Sequence, residues 1–179
     1  MTLKPVLAFL LPAALFLAAC EPAAPRLGPD GRPLPQVYRL SATDSRVQYR
    51  LLDAVNALRQ SAAVPPVELD ARLTAAAATH ARDMAVQNRA WHFGSDGSSP
   101  IDRVQRAGYA GRVLGETISE TYETEIETLA AWMEQPDTRR VILDPAATDL
   151  GFAWLQERNG KIWWTLVTGA RDLGMAPGV

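Results

Sequence analysis

Residues 150–167 constrain the fold of this chain more than any other stretch. Leu150, Phe152 and Trp154 alternate with Ala153 and Leu155, and further on Ile162, Trp164 and Leu166 alternate with Trp163 and Val167. Asn159-Gly160 lies between the two runs and is a strong hairpin signal, since both residue types tolerate positive φ. A strand with one wet face alternates apolar with polar. Here both parities are apolar, so both faces of the sheet must be covered. Val113 to Ile118 supplies a candidate third strand and completes a small antiparallel sheet.

The covering layers are legible as helices. Val47, Leu51, Val55 and Leu58 recur at helical spacing, and Pro65-Pro66 stops that helix. Asp70 is placed to cap a second helix with the stripe Leu73, Ala77, His80 and Met84. Gly94 and Gly97 let the chain reverse after His92. Ser98 or Ser99 then caps a third helix from Pro100 to about Ala107. A fourth carries Tyr122, Ile126, Leu129 and Met133 and ends at Pro136, its acidic start (Glu123, Glu125) suiting the helix dipole. The expected fold is an α+β layered domain with a small antiparallel sheet.

The N-terminal end has a different character. Lys4 precedes an apolar run from Val6 to Ala19 that is short for a membrane span, and Leu17-Ala18-Ala19-Cys20 follows the pattern of a bacterial lipobox. Residues 1–19 are expected to be a lipoprotein signal peptide and Cys20 the lipidated residue. Residues 20–44, with five prolines and two glycines between 21 and 40, form a tether, and the domain runs over 45–179. Cys20 is the one cysteine, so no disulfide is available and packing alone must hold the domain. A net charge of −2 without a basic run argues against nucleic acid. Sixteen of the eighteen cations are arginine, which points to genome composition rather than to a binding face.

The segment after the second helix carries a motif series. It reads His92-x-Gly94-x-x-Gly97-x-x-Pro100-x-x-Arg103, then Ala107-Gly108-Tyr109, then Gly115-Glu116-Thr117-Ile118. In this order the motifs resemble the bacterial branch of the CAP superfamily from about Val47 to Gly169. That resemblance implies an α+β fold of the three-layer α-β-α sandwich type with a small antiparallel sheet, and a cleft holding two His and two Glu, of which His92 and Glu116 are the matching pair. Trp132-Met133-Glu134-Gln135-Pro136-Asp137-Thr138-Arg139-Arg140-Val141-Ile142-Leu143 resembles the family's Trp-Met-x-Ser-Pro-Gly-His-Arg-x-Asn-Ile-Leu. Gln135 stands for Ser and Thr138 for the second His, so both are expected at the cleft. Glu134 and Glu127 are the nearby candidates for the second Glu.

A carboxylate beside an imidazole holds one tautomer and makes a pair usable for binding or proton transfer. One imidazole and one carboxylate are too few for zinc, so neither a metal nor a cofactor is expected. His80 would add a ligand only if the second helix turned that face to the cleft. Its stripe position reads as a partly buried structural residue. No Gly-x-Ser-x-Gly elbow exists, and turn and cap duties account for Ser95, Ser98 and Ser99. Trp154, Trp163 and Trp164 are expected to be mostly core, and Arg139-Arg140 is a weak anion candidate beside a helix end. The expectation is a lipid-anchored envelope protein with its domain facing the periplasm or exterior. It would bind a lipid, a cell-wall fragment or an envelope protein. The alternatives are a hydrolase using His92 and Glu116, and an interaction module with a vestigial cleft.

Overall fold

In the computed structural model, which describes residues 32, 38–40 and 44–171, the sheet has four strands. They are β1 (Glu68–Leu69), β2 (Arg112–Ser119), β3 (Asp149–Gln156) and β4 (Ile162–Ala170), in spatial order β1-β3-β4-β2. The β3–β4 hairpin is antiparallel, with Trp154 opposite Trp164 and Phe152 opposite Leu166. β2 joins the other side of β4 antiparallel, and β1 lies parallel to β3 over two residues only. That parallel edge makes the sheet mixed. Two residues after Pro65-Pro66 are too short to show alternation. The expected signal peptide, residues 1–19, and Cys20 lie outside the described residues.

Helix α1 (Ser45–Ser61), α4 (Glu125–Glu134) and α5 (Pro136–Ile142) cover one face, and α2 (Ala71–Gln87) with α3 (Pro100–Arg106) covers the other. The chain is therefore an α+β, three-layer α-β-α sandwich. The first face is cored by Val47, Leu51, Val55, Trp132, Phe152, Trp164 and Leu166. The second has Leu73, Ala77, Ala153 and Val167, with Ala81, Met84 and Trp163 beside them. Burying even a few of these side chains contributes about 1.5–3 kcal/mol each, which a domain without a disulfide needs.

Several expectations need correcting. The fourth helix starts at Glu125, and its buried stripe is Glu125, Thr128, Leu129 and Trp132; Tyr122 and Ile126 are exposed. Thr124 sets this phase. It forms a capping box with Glu127 and fixes the start of the helix beyond Tyr122. Pro136 ends that helix and also opens a fifth, since proline fits a first helical turn. Arg59 is fully buried, its guanidinium donating to the carbonyls of Pro65, Ile142, Asp144 and Ala147. It ties the α1 end to the loop before β3. Tyr38, Arg39 and Leu40, assigned to the tether, bond to Gln156 and to the hairpin carbonyls of Glu157 and Arg158.

Candidate functional site

Glu116 reaches the site through an irregularity in β2. Val113 pairs with Gly169, but Gly115 pairs with Thr168, so one extra residue interrupts the ladder. A bulge of this kind resets the alternation. Glu116, opposite Val167, therefore points toward α2 and α3. Gly115 turns to the other side, where an added Cβ would lie 2.6 Å from a Val141 methyl of α5. The Gly-Glu pair thus has two separate physical reasons: close helix packing for the glycine and a re-aimed carboxylate for the glutamate.

Helix α2 ends at Asn88 in the left-handed region. The chain then passes Trp91, His92 and Phe93 and turns back through a Gly94 N–H bond to the Ser98 carbonyl, with Gly97 at φ 78°. Ser99 caps α3 in a capping box with Asp102, while Ser98 is buried behind it. This loop brings His92 Nδ1 to 2.9 Å from Glu116 Oε1, across 24 positions of sequence. The Glu116 side chain is 2% exposed and that of His92 51%. A carboxylate only accepts, so Nδ1–H donates and the lone pair of Nε2 is left for a partner in solvent.

Two further residues complete the cluster. Arg103, buried on α3, donates through one terminal nitrogen to Glu116 Oε1 and Oε2 at 2.9 and 2.8 Å, and to the His92 carbonyl. Its other terminal nitrogen donates to the Ser98 carbonyl. Arg103 thus neutralises the buried carboxylate and clamps both ends of the loop that presents His92. His80 is fully buried, not partly, and its Nε2 stands 3.5 Å from Glu116 Oε1. Neither of its ring nitrogens has a hydrogen-bond partner among the described residues. Burial lowers its pKa below the ordinary value; Glu116 pulls the other way, and Arg103 lowers it further. Two imidazoles, not one, therefore flank the carboxylate. Arg103 stands in the motif series, but only the fold shows that it points inward.

Gln135 and Thr138 stand apart from this cluster. Thr138 donates its hydroxyl to the carbonyls of Trp132 and Gln135 at the α4–α5 turn. Gln135 is exposed there with no side-chain cap bond. Neither bonds to His92 or Glu116 among the described residues. Glu134 and Glu127 are exposed, and Glu127 serves the α4 capping box. Arg139 closes the α4 end by donating to the carbonyls of Met133 and Glu134, and Arg140 pairs with Asp137. Ser95 donates to Asp83. The hydroxyls near His92 thus have other partners: Ser99 serves the α3 cap, Ser98 bonds to the Asp96 side chain and Ser95 to Asp83 on α2. A divalent ion does not fit these residues as they stand. His80 and His92 address the same oxygen of Glu116, and Arg103 already holds both oxygens.

The comparisons agree with this architecture. A profile of the cysteine-rich secretory protein family, CAP, matches residues 52–168. The chain belongs to this family. A CAP relative, the uncharacterized protein YkwD of Bacillus subtilis, is 29% identical over 119 residues, which are 66% of this chain and 46% of that protein. This chain therefore spans about half the length of that curated relative. Among solved structures, an outer surface protein of Borrelia burgdorferi matches 76% of this chain and 100% of its own, with TM-score 0.65 at 16% identity. An extracellular SCP-domain protein of Bacillus anthracis matches 74% of this chain and 45% of its own, with TM-score 0.63 at 19% identity. These likenesses speak to fold.

Proposed function

We propose that this CAP domain faces the cell envelope, is tethered to a membrane through a lipid on Cys20, and binds a cell-wall glycan fragment on the surface formed by Trp91, His92 and Phe93. The half-exposed imidazole carries the reading. A buried, Arg-neutralised carboxylate fixes its orientation, and Nε2 is free to accept from a ligand hydroxyl. The rings beside it fit the same ligand. Phe93 is 47% exposed and Trp91 partly so, with centroids 5.4 Å apart, and Arg89 lies 4.1 Å over the Trp91 ring. Aromatic faces carry the C–H faces of a sugar, while histidine and arginine meet its hydroxyl and carboxylate groups.

The committed serines favour binding over nucleophilic hydrolysis. The outer-surface and extracellular relatives support the envelope location, and the lipobox pattern supports the anchor. The test is calorimetric titration of the full chain with a purified disaccharide-peptide muropeptide. Binding with an affinity in the micromolar to millimolar range is expected, lost in His92→Ala and weakened in Phe93→Ala. Unchanged affinity in both variants would overturn the assignment of the site, and release of a cleaved sugar would restore the hydrolase. The anchor has its own test: a fatty-acid probe should label the wild type and not Cys20→Ala.

A further inference from the structure

Between Leu150 and Gln156 the outer edge of β3 pairs with no strand among the described residues. β1 pairs with it only at Asp149 and Leu150, and at the far end Tyr38 and Leu40 meet the Gln156 side chain without pairing as a strand. The Leu150 carbonyl accepts from the Asp70 N–H and the Phe152 carbonyl from Gln48 Nε2, so the even-numbered backbone groups point outward. By the same alternation the Phe152 N–H, both Trp154 backbone groups and the Gln156 N–H face away from β4. A cavity of about 590 Å³ lies along this edge. Ser45 and Gln48 of α1 and the Trp154 ring bound one side, and Thr74, Ala78 and Arg82 of α2 the other. None of its lining residues belongs to the His92–Glu116 cluster.

Recess and charge select the occupant. The edge is set between α2 on one side and α1, with Arg39 and Leu40 before it, on the other, a recess that suits one extended chain. The charge around it is positive. Asp44 is neutralised by both its contacts to Arg46, at 2.8 and 2.9 Å. Among the described residues, Arg39 meets only carbonyls through its guanidinium. The Arg82 guanidinium meets Thr79 Oγ1 at 3.4 Å and has no carboxylate partner among the described residues.

We infer that the Phe152–Gln156 edge of β3 is a docking site for an extended acidic peptide segment of a partner protein, which adds to the sheet as a further strand. Backbone bonds to Phe152, Trp154 and Gln156 supply the affinity. Alternate side chains supply the choice: apolar ones fall toward Trp154, and acidic ones fall toward Arg82 beside Ala78.

The probe is a fluorescein-labelled peptide of alternating valine and glutamate, titrated by anisotropy into the full chain in mild detergent. Two analogues carry N-methyl groups on alternate backbone amides, one in each register. Saturable binding is expected, weakened about tenfold or more by one N-methyl register and little by the other, because only one set of amides faces the edge. Arg82→Glu, a change on an exposed side chain, should weaken the glutamate peptide about fivefold or more and favour a lysine counterpart. Ala78→Trp, which narrows the α2 side, should block both peptides. Equal loss in the two registers, indifference to Arg82→Glu, or no binding at millimolar peptide would each overturn the inference. Self-association of the chain that Ala78→Trp abolishes would assign the edge to a second copy instead. His92→Ala, which tests the glycan surface, should leave peptide binding unchanged, so the two proposals fail separately.

Discussion

Glu116→Gln and His92→Ala separate the buried and exposed halves of the site. Removing the charge of Glu116 leaves the Arg103 guanidinium buried without a counter-ion, and breaking such a pair costs about 3–5 kcal/mol. His92 keeps half its surface in water, so His92→Ala should cost about 1 kcal/mol or less while removing ligand binding. Urea unfolding of the two variants checks this; equal destabilisation would mean that Arg103 does not depend on Glu116. His80 adds a pH term. Above about pH 6.5 its ring is neutral in the folded and unfolded chain alike and contributes no slope. Below that, the unfolded chain binds the proton first, because burial depresses the folded pKa. Stability should therefore fall as pH falls from 6.5 toward that depressed value, by at most about 1.4 kcal/mol per pH unit. His80→Gln should flatten the profile between pH 7.5 and 5, as read by urea unfolding. Parallel profiles would show that His80 does not titrate differently on folding.

At the scale of elements, close packing decides what each glycine is for. A Cβ on Gly151 would lie 2.2 Å from the Leu73 carbonyl carbon and 2.4 Å from the Thr74 nitrogen, both backbone atoms of α2. Backbone cannot rotate aside, so Gly151→Ala should lift α2 from β3 and cost about 1–3 kcal/mol, which thermal unfolding would register. A neutral substitution would mean that α2 sits farther from the sheet. The β3–β4 hairpin was legible in the sequence because Asn159-Gly160 marks a turn between two bulky apolar runs too short for helices. α5 was not. Pro136 signals a stop as readily as a start, and Asp137-Thr138-Arg139-Arg140 shows no apolar stripe. The phase of α4 was missed because Tyr122 and Ile126 fit helical spacing as well as Leu129 does, and only the Thr124 cap distinguishes them. At the site, His92 and Glu116 could be paired from motif order. Arg103 could not, since an arginine on a short helix reads as solvated until the bulge in β2 turns a carboxylate toward it.

Across the whole molecule, one polar hub gathers the ends of separate elements. Asp149, 1% exposed at the start of β3, accepts from the Tyr109 hydroxyl at 2.7 Å, from Thr148 Oγ1, and from Arg171 just after β4. Arg171 also reaches Glu68 on β1, so the edge strand, the hairpin and the α3–β2 turn meet at one carboxylate. Glycine makes the meeting possible. An added Cβ on Gly169 would lie 2.7 Å from the Tyr109 oxygen, and one on Gly111 would lie 2.8 Å from the ring. The phenol is pushed well above its ordinary pKa, first by burial and then by its bond to Asp149, so it stays a donor across the working pH range. The Ala-Gly-Tyr motif therefore belongs to the scaffold and not to the His92 site. Tyr109→Phe keeps the ring and removes only the donor to a buried carboxylate. It should cost about 1.5–3 kcal/mol in urea unfolding, the range for a hydrogen bond to a charged group. Arg171 would still neutralise Asp149, so the fold and muropeptide binding should survive. Loss of binding in Tyr109→Phe at unchanged stability would mean that the hub, and not the loop clamped by Arg103, positions His92.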